Sequence, residues 1–286
     1  MGLGALFSIF SGGPQRVDVW KKYDRLADSI SGTMSNFYKV RDKGTGAILG
    51  LKILDPAKVD PVEARYKGLD KPSEAEISRQ IAGPNVVKTI EAGITTDGRP
   101  YLVQEFIEGL LLHALISAKK PLPPARRIDL VRQAAAAIGC VHKAGFVHRD
   151  ICPRNFIVQK DGRLVLFDFG LTVPDKPAFL QPGNRVGTPN YLAPEVVRRR
   201  QADKRLDVFS FGATAYEICT LDLPWPRGTT GNAAMAHDSG VADIRGKWPD
   251  IPEPLAAAIM ACLAAEPAQR PPTMDAFLGM ISRLPA

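Results

Sequence analysis

Cysteine is scarce in this 286-residue chain, and its spacing excludes two common kinds of scaffold. The four cysteines stand far apart, without the close pairs of a zinc site or the density of a disulfide framework. They are Cys140, Cys152, Cys219 and Cys262. We therefore expect free thiols and a reducing cytoplasm as the compartment.

Long apolar runs are also missing. The opening MGLGALFSIF has ten residues, whereas a membrane-spanning helix needs ~20. This excludes a transmembrane segment there and predicts none elsewhere, because no other uncharged run approaches that length. Peripheral association with a membrane through the apolar N-terminus stays open.

Acidic residues are fewer than basic ones: 30 Asp and Glu stand against 37 Lys and Arg, which gives a net charge of +7. This excess attracts phosphates or acidic partners, but it is too diffuse to identify one, and we expect no nucleic-acid binding. Internal repeats and low-complexity linkers are absent. With 45% hydrophobic residues, the chain can bury one good core or two modest ones, and we expect two lobes that share one function.

Short apolar segments separated by turns dominate the first third of the chain. NFYKV, AILGLKIL and RPYLVQEF are typical of strands, and KGTG and DG are typical of tight turns. Between these segments, PSEAEISRQIAGPN has acidic residues early and Gly83-Pro84 near its end, which indicates a helix. The pattern predicts a small antiparallel sheet with one helix.

After residue 109 the pattern becomes mainly helical. Residues 126–144 carry an apolar stripe that predicts a buried helix, and LDVFSFGATAYEICT and PLAAAIMACLAAE predict two more. FIV and RLVLF flank QKDG, which suits a tight hairpin turn. We expect the loop that precedes this hairpin and the FDFG that follows it to lie at opposite ends of the hairpin.

Three motifs follow one another in the second half: FVHRDICPRNFIV, with Asp150 and Asn155, then Asp168-Phe169-Gly170, then Ala193-Pro194-Glu195. In this order and spacing they resemble the catalytic loop, the metal-binding triplet and the end of the activation segment of protein kinases. The resemblance runs from about residue 23 to the C-terminus.

The resemblance implies an α+β, bilobal protein-kinase-like fold. It has a small antiparallel-sheet N-lobe with one helix and a larger, mainly helical C-lobe. We expect residues 1–22 to form an N-terminal extension, residues 23–106 the N-lobe and residues 107–286 the C-lobe, with one catalytic domain over 23–286.

The implied activity is Mg²⁺-dependent transfer of the γ-phosphate of ATP to a Ser or Thr hydroxyl of a protein. Asp150 would accept or orient the substrate hydroxyl, while Asn155 and Asp168 would supply the oxygen ligands that Mg²⁺ prefers. ATP and Mg²⁺ are therefore the expected cofactors.

Lys52 lies among apolar neighbours in AILGLKIL, where an unpaired ammonium group would be costly to bury. The resemblance implies that Lys52 contacts the α- and β-phosphates and is held by Glu74, with Glu76 as the second candidate. The remaining residues expected around the nucleotide are Gly32, Gln104, Glu105, Ile107 and Ile157.

The chain departs from the family pattern in its glycine-rich loop. The family shows G-x-G-x-x-G, whereas residues 30–35 read ISGTMS, and only Gly32 matches. Glycines in this loop let backbone N–H groups approach phosphates, so we expect weaker or altered nucleotide binding.

A second departure concerns the catalytic loop. Cys152 stands where Ser/Thr kinases carry Lys, and Arg154 is similar to the tyrosine-kinase pattern. Thr188, in GTPNYLAPE, matches the Thr that bonds the catalytic Asp in Ser/Thr kinases, so we favour Ser/Thr specificity; tyrosine or dual specificity stays open. Cys152 is a redox-sensitive thiol if its pKa is lowered, and otherwise a packing residue.

The sequence leaves three functional classes open: a protein kinase, a pseudokinase scaffold and a small-molecule kinase. The altered glycine loop and Cys152 favour a pseudokinase scaffold, whereas the catalytic motifs favour an enzyme. A small-molecule kinase is the third reading, although Ala193-Pro194-Glu195 and Arg270, the expected partner of Glu195, favour a protein substrate. LDVFSFG resembles the family helix that begins with a buried Asp, here Asp207. The basic run Arg198, Arg199 and Arg200 is interpreted as a solvated face, with docking of an acidic partner as the alternative. The sequence does not indicate the oligomeric state.

Arg149 commonly needs an anion from the activation segment. Between Leu171 and Thr188 the only hydroxyl side chain is Thr172. We hypothesise that Asp175 takes the place of a phosphorylated residue, or that no anion is supplied and the enzyme has low constitutive activity.

Overall fold

The computed structural model describes residues 16–32, 34–183, 185–228 and 240–285. The opening MGLGALFSIF lies outside these ranges. Two compact units form: the first extends to Ala82 and takes in Val87–Ile107, and the second contains Gly83–Val86 and continues from Glu108. Within the described ranges, no helix is long and apolar enough to cross a membrane.

A seven-stranded sheet forms the framework of the described part of the first unit. Its strands are β1 (Arg16–Val17), β2 (Tyr23–Arg25), β3 (Ile30–Ser31), β4 (Ser35–Asp42), β5 (Ile48–Leu54), β6 (Thr89–Thr95) and β7 (Pro100–Glu105). The order in the sheet is β1-β6-β7-β5-β4-β2, and β3 pairs with β4. All pairings are antiparallel except that of β1 with β6.

One apolar cluster holds this sheet together. Its buried members are Val19, Tyr23, Val40, Leu51, Ile53, Tyr101 and Val103. Residues 16–22, which we expected to belong to an N-terminal extension, contribute β1 and the buried Val19, so the folded part of the first unit begins before residue 23.

The helices of the first unit are α1 (Val19–Lys22), α2 (Pro56–Glu63) and α3 (Glu74–Gln80). The sequence pattern predicts α3, which begins with a capping box between Ser73 and Glu76. It does not predict α2, because Pro61 lies inside that helix and none of its side chains is buried. The sequence signal for α2 is its start, where the Asp55 side chain caps the helix and Pro56 follows.

The second unit is mainly helical. Its helices are α4 (Leu112–Ser117), α5 (Pro124–Lys143), α6 (Pro194–Val197), α7 (Arg205–Thr220), α8 (Glu253–Cys262) and α9 (Met274–Met280). Its strands are β8 (Gly109–Leu111), β9 (Phe146–Val147), β10 (Phe156–Gln159), β11 (Leu164–Leu166) and β12 (Val173–Pro174). The helices predicted at α5, α7 and α8 are confirmed, and α7 is buried along almost its whole length.

The hairpin of β10 and β11 corrects one expectation. Phe156 pairs with Leu166, and the Phe167 N–H donates to the Asn155 carbonyl at 3.0 Å. The catalytic-loop motif and FDFG therefore lie at the same, open end of the hairpin, and the expectation of opposite ends is wrong. Antiparallel pairing places the start of the first strand beside the end of the second.

A buried ion pair joins α6 to the segment between α8 and α9. Arg270 donates from both terminal nitrogens to the two carboxylate oxygens of Glu195, each at 2.7 Å. The same guanidinium also donates to the carbonyls of Ala264, Arg205 and Ala265. The pairing of Glu195 with Arg270 is confirmed, and its bidentate geometry fixes the end of the activation segment.

Replacing Glu195 with Gln leaves the buried Arg270 charge without its carboxylate. We expect the free energy of unfolding to fall by about 3 kcal/mol, because a buried ion pair that loses one partner leaves an uncompensated charge. Chemical denaturation measures the change. The matched control is Glu253→Gln, which removes an exposed carboxylate paired with Arg245 and should match the wild type within error. Equal stabilities of the two variants would contradict the prediction.

Candidate active site

The predicted site residues fall into two groups, one in each unit. In the first unit, Lys52 on β5 is buried beside Glu74 at the start of α3, with 2.5 Å between Lys52 Nζ and Glu74 Oε1. Glu76, the second candidate, instead accepts from the Ser73 N–H at 2.8 Å and closes the capping box. The helix therefore divides its two first-turn carboxylates between the lysine and its own N-terminus.

Three other predicted nucleotide residues lie in or just beyond β7. Gln104 is buried and donates from Nε2 to Thr89 Oγ1 at 3.2 Å. The Glu105 N–H donates to the Lys88 carbonyl at 3.0 Å, so this N–H is already used within the first unit. Ile107 lies two residues beyond the end of the strand.

Gly32 lies in the tight turn between β3 and β4. Its N–H donates to the Ser35 carbonyl at 2.7 Å, and an added Cβ would lie only 3.2 Å from that oxygen. A side chain at this position would therefore require Ser35 to shift by a few tenths of an ångström, whether or not a phosphate binds. Thr33, the next residue of the altered loop, lies outside the described residues.

In the second unit, three hydrogen bonds hold the Asp150 carboxylate. Oδ1 accepts from the Thr188 N–H at 2.8 Å and from Thr188 Oγ1 at 2.7 Å. Oδ2 accepts from Asn155 Nδ2 at 3.0 Å, and the same amide donates to the Asp150 carbonyl at 2.7 Å. The structure thus brings together three of the residues that the resemblance selects.

The loop that carries Asp150 is anchored by a carboxylate on α7. Asp207, which is fully buried, accepts from the N–H groups of His148 and Arg149 at 2.7 and 2.8 Å. It also lies 2.9 Å from His142 Nε2. Burial alone would raise the pKa of Asp207, but the hydrogen bond and charge of His142, with the backbone N–H donors, hold it below its ordinary value.

His148 is a neutral part of this anchor. Burial lowers the pKa of His148, and its Nδ1 accepts from the Asp150 N–H at 3.3 Å. Its ring meets Phe169 edge-on, with 5.6 Å between the ring centres. The sequence indicated that Asp207 is buried, but it did not predict His142 as its partner. The sequence feature that could have suggested this pairing is the histidine in the last turn of a buried helix.

Asn155 and Asp168 carry side-chain oxygens of the kind that Mg²⁺ prefers. Asn155 bonds Asp150 through its amide nitrogen, so its oxygen is the atom it could offer to a cation. Asp168, at φ +67°, follows Phe167, whose N–H is bonded to the Asn155 carbonyl. In the described part of the chain, no three His, Cys, Asp or Glu side chains cluster as a metal site. A pair of oxygen ligands completed by phosphate and water is the usual form of a Mg²⁺ site.

Cys152 is a buried packing thiol. Burial raises the pKa of Cys152 to about 12, and its Sγ lies 3.4 Å from Thr188 Oγ1. Because the single Thr188 hydroxyl proton goes to Asp150, the thiol is the donor in this contact. The position that carries Lys in Ser/Thr kinases is therefore uncharged here, while Arg154 is exposed nearby on the turn Pro153–Asn155.

Two polar residues of the activation segment, Thr172 and Asp175, already have defined surroundings within the second unit. Thr172 is fully buried, so a kinase could reach its hydroxyl only after the segment opens. The Asp175 carboxylate lies 3.8 Å from Lys204 Nζ. The backbone N–H of Asp175 donates to the Gly145 carbonyl. Its substitution for a phosphorylated residue beside Arg149 stays a prediction.

The remaining predicted residues lie on the surface or in the small sheet of the second unit. Ile157 is half-buried on β10, where it pairs with Val165 and Leu111. Arg198, Arg199 and Arg200 are exposed, as expected of a solvated face, and Arg200 lies 3.6 Å from Glu266.

The chain belongs to the protein kinase family: the model of the protein kinase domain matches residues 30–279. It is 29% identical to a probable serine/threonine-protein kinase of Clostridium perfringens over 92% of this chain and 38% of that relative. It is 33% identical to the serine/threonine-protein kinase PknL of Mycobacterium tuberculosis over 69% of this chain and 51% of PknL. The serine/threonine-protein kinase PrkC of Bacillus subtilis is 28% identical over 89% of this chain and 39% of PrkC. The chain thus spans about half or less of the length of these relatives.

Burial of the thiols predicts their reactivity. At pH 8 we expect iodoacetamide to leave Cys152 unmodified in the native protein, because a pKa of about 12 leaves about one thiolate in ten thousand. The half-buried Cys140 should react first, and all four cysteines should react in denaturant. Mass spectrometry of the peptides reports each site. Rapid native alkylation of Cys152 would show that its thiol is activated.

Proposed function

We propose that this chain catalyses Mg²⁺-dependent transfer of the γ-phosphate of ATP to Ser or Thr hydroxyls of a protein substrate. The observation that carries the proposal is the Asp150 carboxylate, which Thr188 and Asn155 hold in one orientation. Membership of the protein kinase family and the names of the relatives support it.

Asp150 would act on the substrate hydroxyl through Oδ2. Its Oδ1 already accepts two hydrogen bonds from Thr188, whereas Oδ2 accepts one, from Asn155. A carboxylate oxygen accepts two hydrogen bonds readily, so Oδ2 can receive the hydroxyl of the substrate and then its proton. The nucleophile is thereby oriented for in-line attack, which is the main contribution a protein makes to phosphoryl transfer.

Asn155 and Asp168 would hold the metal ion through their side-chain oxygens. When bound, Mg²⁺ neutralises charge on the phosphate oxygens. Lys52, kept in place by Glu74, would contact the α- and β-phosphates. The resemblance also selects nucleotide-binding residues in each unit: Gly32, Gln104, Glu105 and Ile107 in the first, and Ile157 in the second.

Specificity for Ser and Thr is proposed from Thr188. Its hydroxyl binds Asp150 and so ties the segment before α6 to the catalytic carboxylate. Tyrosine or dual specificity stays an alternative because of Arg154. The buried pair of Glu195 and Arg270 favours a protein over a small molecule as substrate, and the exposed Arg198, Arg199 and Arg200 are a candidate docking face for an acidic partner. A reducing cytoplasm suits the four free cysteines.

A pseudokinase scaffold is the second candidate, and one observation favours it. The buried, protonated Cys152 leaves the catalytic loop without the cation that Ser/Thr kinases carry at this position. Together with the altered glycine loop, this predicts weaker interaction with the phosphates. The retained Asp150, Asn155 and Asp168 favour the enzyme.

Replacing Asp150 with Asn removes the proton acceptor but keeps the shape of the side chain. We expect phosphate transfer from radiolabelled ATP, to the chain itself or to a protein substrate, to fall by ~100-fold or more. The control is Asp250→Asn, which changes an exposed aspartate and should leave the rate unchanged. Equal signals from the wild type and the Asp150 variant would favour the scaffold.

Replacing Asp168 with Asn should remove the effect of Mg²⁺ on ATP binding. In the wild type, ATP with Mg²⁺ should raise the melting temperature more than ATP with a chelator, because ligand that binds only the folded state stabilises it. The Asp168 variant should lose this difference. Asp161→Asn, an exposed position in the turn between β10 and β11, should keep it. An Asp168 variant with the full Mg²⁺ effect would exclude Asp168 as a ligand.

A further inference from the structure

A buried carboxylate on α7 lies outside the set of residues assigned above. Glu217 is 0% exposed, and its two oxygens have different partners. Oε2 accepts from the Tyr191 hydroxyl at 2.5 Å, and Oε1 forms an ion pair with Nη2 of Arg227. One donor comes from the activation segment and the other from the segment that follows α7.

Arg227 is the cation that this buried charge depends on. A carboxylate removed from water is costly unless it is paired, and the neutral Tyr191 hydroxyl supplies a hydrogen bond but no charge. Burial, followed by the charge of Glu217, raises the pKa of Tyr191, so the phenol keeps its proton and remains a donor. The Arg227 side chain is 47% exposed, so its guanidinium contacts the buried Glu217 carboxylate from the protein surface.

Hydrogen bonds connect this pair with the catalytic carboxylate. Tyr191 ends the short turn Pro189–Tyr191, and its N–H donates to the Thr188 carbonyl at 3.0 Å. Thr188 in turn donates twice to Asp150. A second contact joins the same segments, because the Gly228 N–H donates to Asn190 Oδ1 at 3.2 Å.

We propose that Arg227 is a positioning residue for phosphate transfer: its ion pair with Glu217 fixes Tyr191 and, through Tyr191, the Thr188 hydroxyl on Asp150. This inference rests on the proposed function, since the chain of contacts ends at the proposed proton acceptor. A purely structural role would lower stability without lowering the turnover of folded enzyme.

The experiment measures steady-state phosphorylation of a protein substrate by the full chain, by variants at Arg227 and Tyr191, and by one control variant. Arg227→Gln should lower kcat on the order of tenfold, with the KM for ATP unchanged, because it removes a charge-assisted hydrogen bond. Arg227→Lys should recover part of the loss. Tyr191→Phe, which keeps the ion pair, should reproduce the loss of kcat.

The double variant of Arg227→Gln and Tyr191→Phe tests whether the two residues affect kcat through one chain of contacts. If Arg227 acts through Tyr191, the double variant should be no slower than the slower single variant, whereas independent effects would multiply. The matched control is Arg245→Gln, which removes an exposed arginine paired with Asp243 and Glu253 and should leave kcat unchanged.

The inference would be overturned if Arg227→Gln kept a kcat within twofold of the wild type, including the case in which this variant only loses stability. It would also be overturned if the effects of Arg227→Gln and Tyr191→Phe on kcat multiplied in the double variant. Should Arg227→Gln fail to fold, a Tyr191→Phe variant with wild-type kcat would overturn the inference by itself.

A wild type without phosphotransferase activity would instead contradict the proposed function. Hydrogen exchange then decides, because the amides of residues 188–192 should exchange faster in Arg227→Gln, and unchanged exchange would contradict the positioning role.

Discussion

The Asp207 carboxylate fixes the backbone on which the proposed chemistry depends. It accepts two backbone N–H groups, those of His148 and Arg149, and Arg149 has a left-handed φ of +71°. Such a conformation costs a non-glycine residue ~1–3 kcal/mol, while a hydrogen bond to a charged group contributes ~1.5–3 kcal/mol. The two bonds therefore offset the strain. They fix the backbone that carries the next residue, Asp150.

Helix α7 supplies more than this one anchor. Asp207, Ser210 and Glu217 are spaced by three and seven residues, which places them on one side of the helix. Ser210 Oγ donates to the Tyr191 carbonyl at 2.7 Å, and Glu217 accepts from the Tyr191 hydroxyl. One buried helix thus orients both the catalytic loop and the activation segment, and its buried Asp207, Ser210 and Glu217 each have hydrogen-bond partners.

Local patterns predicted the strands β4, β5 and β7 and the helices α3, α5, α7 and α8, because periodicity and turn residues are local properties. They missed α2, where Pro61 interrupts the helical pattern. The resemblance selected Thr188 as the partner of Asp150. The pairing of Glu217 with Arg227 could not be predicted, since a charged residue beyond the end of a helix does not indicate which buried carboxylate it meets.

The most direct measurement of the central claim is a crystal structure of the chain with Mg²⁺ and a non-hydrolysable ATP analogue. The side-chain oxygens of Asn155 and Asp168 should bind the cation. Asp150 should keep its bonds to Thr188 and leave Oδ2 facing the γ-phosphate. A cation held by other residues, or an Asp150 carboxylate turned away from the phosphate, would contradict the claim that this preformed loop performs phosphate transfer.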